Sequence, residues 1–205
     1  MKIIDLSHAI DNNTPNYEGD IKTELNQART IYRDGFEAYS ISSFFHSSTH
    51  IEVKRHMLHD DKYINDYSID RFFGKGVLLN YKDEKILNTK AEYRHIDLKD
   101  KIVLIYTSFD SHYHQNDYFT SHPIISEELI DFLISKEIKI IGLDFPSPDY
   151  EPYLIHKKLF NNDIPIVENL TNLKELLDIK KFNIYALPLK LRSESSFVRV
   201  IALVD

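Results

Sequence analysis

A chain of 205 residues, 42% hydrophobic and 28% charged, can bury a sizeable core and is too apolar to remain disordered. Its net charge of −7, with only isolated basic pairs at Lys157-Lys158 and Lys180-Lys181, argues against nucleic acid as a partner. The absence of cysteine excludes disulfides, thiol nucleophiles, iron–sulfur clusters and thiolate zinc sites, so any metal must sit on His, Asp and Glu.

No stretch approaches the ~20 apolar residues needed to cross a bilayer, and Asp5 interrupts the start too early for a signal-peptide core. The expectations are no membrane partner and a cytoplasmic location. Without repeats, low-complexity tracts or linkers, residues 1–205 read as a single domain. In chain order, Lys2–Leu6 reads as a short strand and Asp11–Pro15, with Gly19 behind it, as a loop. Residues 36–45 suit a strand, whereas 46–60 show neither clean period. Gly76–Tyr81 and Lys101–Thr107 are apolar runs of the kind found in buried strands. Ser126 is a candidate N-cap for a helix over 127–136, with Leu129, Ile130, Leu133 and Ile134 along one face. A strand over 138–143 follows, completing the strand–helix–strand unit that joins parallel strands. Asp144 falls just beyond it, where open α/β sheets place their sites.

Pro152 is expected to open a helix carrying His156 and Leu159 and closed by Asn161-Asn162. A short strand spans 164–168, and Thr171 is expected to cap a short helix through Leu177. Residues 182–191 and 197–204 alternate as a terminal antiparallel pair. The class is mixed α and β, with seven or more strands.

The chemistry gathers in one segment. Of 10 histidines, His46, His50, His56 and His59 crowd together with Glu52. Neutral imidazole with carboxylate is the donor set that zinc, manganese and similar ions accept in a thiol-free site. In a straight strand His46 and His50 would stand roughly 13 Å apart, too far to share an ion. The chain must therefore bend at Ser47-Ser48-Thr49, while His50 and Glu52, two residues apart, point the same way from an extended piece. His59 falls out of this register and reads as a surface residue. His156 and Glu168 are chemically suitable, but spacing alone cannot unite them with the first group.

The segment His46-Ser47-Ser48-Thr49-His50-Ile51-Glu52-Val53-Lys54-Arg55-His56 resembles the H-x-G-T-H-x-D-x-P-x-H signature of the cyclase family of metal-dependent hydrolases, which includes kynurenine formamidases and isatin hydrolases. Ile4–His8, Thr14-Pro15 with Tyr17–Asp20, Gly142–Asp149, Ile164–Leu170 and the closing Pro188–Lys190 and Val198–Val200 resemble further motifs of that family, in order. The resemblance implies an α/β fold, a swivelling β/β/α single domain with a mixed sheet, often assembled as a homodimer or higher homo-oligomer. It implies that His46, His50 and Glu52 hold one divalent ion, zinc or manganese, and that Glu52 bridges to a second held by His156 and Glu168. His56 would transfer the proton during hydrolysis of a C–N amide bond in a small aromatic or cyclic molecule. Tyr17, Phe36 and Phe145 are candidates to stack that ring. Three positions depart from the signature: Glu52 replaces Asp, Ser48 replaces Gly and Lys54 replaces Pro. The turn before the last strand is Ser193-Glu194-Ser195-Ser196 in place of a glycine-rich one. These departures motivate a rival expectation, a catalytically silent metal- or ligand-binding member.

Overall fold

Seven strands close on themselves in the computed structural model, which describes residues 1–204. In chain order the elements are β1 (Lys2–Asp5), β2 (Glu24–Arg29), α1 (Ile31–Asp34), β3 (Ala38–Ser42), β4 (His50–Glu52) and β5 (Phe73–Asn80). There follow β6 (Ile86–Leu87), β7 (Ile102–Tyr106), β8 (Ile124–Ile125), α2 (Glu127–Ser135), β9 (Ile140–Leu143) and α3 (Leu154–Asn161). The chain ends with β10 (Ile166–Glu168), β11 (Phe182–Pro188) and β12 (Ser195–Val204). The ring runs β12–β11–β5–β7–β9–β10–β4 and returns to β12, with β1 added outside on β12. The β5–β7–β9–β10 pairings are parallel and the rest antiparallel, so the sheet is mixed and barrel-like.

The apolar runs explain this closure. Every residue of β7 is buried, and they alternate between two cores. Ile102, Leu104 and Tyr106 join Ile51, Val167, Ile184 and Val200 inside the ring. Val103 and Ile105 face outward, where Leu129 and Leu133 of α2 and Leu159 and Phe160 of α3 cover them. A strand buried on both faces needs no polar alternation, which is why it reads as a continuous apolar run. The backbone approaches closely at Gly142, where a Cβ would lie 2.7 Å from Leu104 Cδ2 and 2.8 Å from Leu170 Cδ1.

Ser126 caps α2 as its sequence implies, its hydroxyl accepting the Leu129 N–H at 3.2 Å, with Glu127 and Glu128 in the first turn. Other local expectations need correction. Helix α3 starts at Leu154, beyond Pro152, and its Ile155 N–H is taken by the Asp149 carboxylate at 2.6 Å. Thr171 is no cap: its hydroxyl donates to Asp110 Oδ2 at 2.9 Å, and the segment after it is a 3-10 turn over Leu173–Leu176. Asp144 is fully buried and accepts the N–H groups of Thr107 and Ser108 and the Thr107 hydroxyl. It ties the ends of β7 and β9 together, and burial pushes its carboxyl up to about 7. The β2–β3 hairpin stands apart from the ring; β3 lies within the expected strand, but its polar, exposed partner β2 carries no alternation to announce it.

Candidate metal centre

Strand β4 supplies the middle of the site. Its predecessor, residues 45–49, is a bend in which Ser48 takes φ 54°, the left-handed conformation that a glycine would adopt without strain. The bend brings the His46 and His50 rings to 5.1 Å between centroids. Antiparallel pairing of β4 with β10 sets His50 opposite Glu168. On the other side β12 sets Ser195 opposite Glu52 and brings Glu194 to the rim. Helix α3 presents His156 from its first turn, and a 3-10 turn over Lys54–His56 presents His56.

Glu52 is the hub and is almost wholly buried, with 1% of its surface exposed. Its Oε2 lies 3.3 Å from His46 Nδ1 and 3.4 Å from His56 Nε2, and its Oε1 lies 3.3 Å from His156 Nε2. Glu168 completes the group, with Oε2 3.4 Å from His50 Nε2 and Oε1 3.4 Å from His156 Nε2. Two donor sets therefore share Glu52: His46, His50 and Glu52, and Glu52, His156 and Glu168. All five residues expected as metal ligands, together with His56, meet in one place.

The spacing fits a divalent ion. Donors held ~2.0–2.1 Å from an ion at tetrahedral angles stand about 3.3–3.4 Å from one another. His50 Nε2, Glu52 Oε1 and Glu168 Oε1 are buried and have no hydrogen-bond partner. Orphaned donors of this kind cost stability unless something satisfies them. The ring atoms that face away from the centre are fixed by the protein. His50 Nδ1 meets the Ser48 carbonyl at 2.9 Å, and His156 Nδ1 meets Asp149 Oδ1. Both contacts leave Nε2 facing the centre. Behind them, Asn169 donates from Nδ2 to the same Ser48 carbonyl at 2.9 Å and accepts the Tyr118 hydroxyl at 2.7 Å. Thr49 donates to the Asn169 carbonyl at 2.6 Å, which stitches the bend to the end of β10.

Protonation follows the same contacts. Burial pushes His46 down, but its hydrogen bonds to the carboxylates of Glu194 and Glu52 outweigh it and raise it to about 10. Burial likewise opposes protonation of His156, and Asp149, Glu168 and Glu52 lift it well above the ordinary imidazole value. His56 moves the other way, lowered chiefly by burial. Burial raises Glu52, yet the surrounding imidazoles hold it well below the usual carboxylate range. In the metal-free protein, protons on His46 and His156 balance the buried carboxylates.

Of the three aromatic candidates, only Tyr17 lines the cavity above this centre, a space of about 550 Å³. Phe145 is fully buried in the outer core and Phe36 stands exposed in the β2–β3 connection, so neither lines the cavity of this chain. His59 is exposed, as its register implies. Three residues escaped the sequence reading. Asp149 lies in a quoted motif without an assigned partner, and Asn169 follows Glu168. Glu194, whose Oε1 lies 3.3 Å from His46 Nε2, is held down to about 2, chiefly by its hydrogen bond with His46.

The profile of the cyclase family, described as "Putative cyclase", matches residues 4–150, and the chain belongs to that family. An uncharacterized protein of Methanocaldococcus jannaschii is 31% identical over 205 residues, covering 99% of this chain and all of that one. Kynurenine formamidase of Bacillus mycoides is 27% identical, over 97% of this chain and 95% of the relative. Among solved structures, an isatin hydrolase bound to the product analogue thioisatinate superposes with a TM-score of 0.88 at 20% identity, covering 99% of this chain and 92% of that one. A potential metal-dependent hydrolase with cyclase activity superposes at 0.80 and 22% identity, covering 100% and 99%. The shared fold is thus that of the isatin hydrolase, as the motifs imply.

Proposed function

We propose that this chain is a metal-dependent hydrolase that cleaves a C–N amide bond of a small aromatic or cyclic substrate, in the manner of an arylformamidase. The observation that carries the reading is the set of five donors at ligand spacing at a cavity, four of them buried and His46 partly so, with His56 beside them. Kinship with kynurenine formamidases and the isatin hydrolase fold support it. One or two zinc or manganese ions suit the imidazole and carboxylate donors, with His46, His50 and Glu52 holding one and Glu52, His156 and Glu168 the other. A bound ion would lower the pKa of water toward ~7 and polarise the scissile carbonyl.

The chain's own groups supply the rest. His56, lowered by burial yet still lining the cavity, is neutral near pH 7 and can take a proton from the attacking water. As the oxygen adds to the carbonyl carbon and the C–N bond breaks, the same imidazole returns the proton to the departing nitrogen. The products are a carboxylic acid and an amine. Tyr17, its hydroxyl donating to the Pro146 carbonyl at 3.2 Å, forms an aromatic wall for the substrate.

The silent-binder alternative rests on Glu52, Ser48 and Lys54. Against it stand the reach of Glu52 to three imidazoles and the accommodation of Ser48 in the left-handed bend. Elemental analysis of tag-free protein, followed by formanilide hydrolysis with and without chelator, tests the proposal. Stoichiometric metal with chelator-sensitive turnover is expected; full metal occupancy with no turnover of amides or lactams would select the silent binder. A homodimer and a cytoplasmic location remain part of the proposal. Ile31, Tyr32, Phe36, Tyr39 and Ile41, on and around the β2–β3 hairpin, are each exposed and would suit contact with a second copy. Light scattering should give twice the chain mass, and a monomer at micromolar concentration would count against it.

A further inference from the structure

Resting on that hydrolase reading, the cavity's charge distribution narrows the substrate class. Besides the histidines of the centre, the space above the donors is lined by Tyr17, Glu18, Asp20, Tyr153 and Glu194 and, among the described residues, by no lysine or arginine. The carboxylates do not all stand alike. Glu52 and Glu168 belong to the donor sets, and Glu194 is engaged by His46. Glu18 and Asp20 make no ion pair among the described residues, although Glu18 is exposed and Asp20 half-buried at the same opening. The cavity below them holds the unpartnered, buried Glu52 Oε1 and Glu168 Oε1, so this acidic rim borders a binding space and not merely a solvated loop.

A substrate with a free carboxylate would find no lysine or arginine here, the imidazoles being engaged by Glu52, Glu168 and Glu194, and would meet acidic groups at the mouth. A positively charged group would meet Glu18 and Asp20, with the aromatic rings of Tyr17 and Tyr153 in the same lining. We infer that the natural substrate is a small amide bearing an ammonium or comparable cationic group distal to the scissile bond, and that Glu18 and Asp20 select it. The amide end lies toward the donors and His56, and the cationic end lies toward the rim.

Three nearly isosteric formanilides test this: 4-(aminomethyl)formanilide, 4-ethylformanilide and 4-(carboxymethyl)formanilide, offered to the zinc-loaded protein. The cationic compound should have a kcat/KM about tenfold above the neutral one, and the anionic compound should be poorest. Because the rim is accessible to solvent, that preference should shrink in high salt. The Glu18→Gln/Asp20→Asn double variant should bring the cationic-to-neutral ratio close to one. Turnover of all three without cationic preference, or a preference that survives both salt and the double variant, overturns the inference and leaves the hydrolase reading intact. If none is cleaved, calorimetric binding of the same three compounds separates the two ideas. Tighter binding of the cation supports the rim while the hydrolase reading falls, and equal binding overturns both.

Discussion

Shortening Glu52 to aspartate restores the family's usual residue but should damage this site. In the structure the Glu52 carboxylate reaches His46, His56 and His156 at 3.3–3.4 Å. Removing one methylene withdraws it by up to ~1.5 Å, which opens these separations to roughly 4.5–5 Å. The backbone cannot follow, because β4 is paired on both sides, Glu52 standing opposite Ile166 of β10 and Ser195 of β12. Loss of a supporting group around a metal already costs 10–100-fold in affinity, so loss of a shared ligand should cost at least ~100-fold, about 2.7 kcal/mol. Competition calorimetry with zinc reads this directly. Melting gives an independent measure: zinc at ~100 times its Kd stabilises the wild type by about 2.7 kcal/mol, roughly 5–10 °C for a chain this size, whereas Glu52→Asp should shift by at most about 1–2 °C. Equal or tighter zinc binding by Glu52→Asp would refute the argument and identify Glu52 as drift in an idle site.

Zinc binding near pH 7.5 should release between one and two protons, because His46 and His156 must become neutral to act as ligands. Calorimetry in buffers of different ionisation heat measures this, affinity should rise with pH, and release of no protons would contradict the assignment. In the metal-free protein the raised His46 contributes stability that is complete below ~6.5 and disappears as pH rises through about 10, so the melting temperature should fall across that window. Asp149→Asn should weaken zinc binding about 10–100-fold by loosening His156, and an unchanged affinity would remove Asp149 from the support of the site. Ser48→Gly should raise stability by about 0.5–1 kcal/mol, since the strain of φ 54° exceeds glycine's entropic cost, and a lower melting temperature would show that the Ser48 side chain matters more.

What was legible in the chain was local. The continuous apolar run of β7 and the serine cap of α2 express short-range physics, and both elements form where their residues imply. The pairing of His50 with Glu52 follows from the two-residue period of a strand, and the bend before it follows from the impossible span of a straight one. His156 and Glu168 were different: family motifs pointed to them, while spacing could not. They reach the centre through pairing of β10 with β4 and through the seating of α3, contacts that leave no local mark in either segment. Glu194 had no readable role for the same reason, since it is the β12–β4 pairing that carries the turn before the last strand beside His46. Phe145 misled because its type suits both a binding wall and a core, and the outer core claims it.

These long-range pairings make the metal centre and the closure of the sheet parts of one device. Strand β4 has only three residues, yet it joins β10 to β12 and so closes the ring. Three backbone pairs on each side are a small hold for such a junction, and in the metal-free protein the charged groups above it depend on protons for balance. An ion shared by β4, β10 and α3 would tie the junction on its cavity side. Zinc should therefore slow hydrogen exchange most at residues 50–52 and 166–168, with less effect on β7, which the core already buries on both faces. Hydrogen exchange with mass spectrometry, under conditions of local opening, resolves these segments. Equal slowing of β7 and β4 would mean that zinc stabilises only the global fold, and protection confined to the β2–β3 hairpin would place the ion elsewhere.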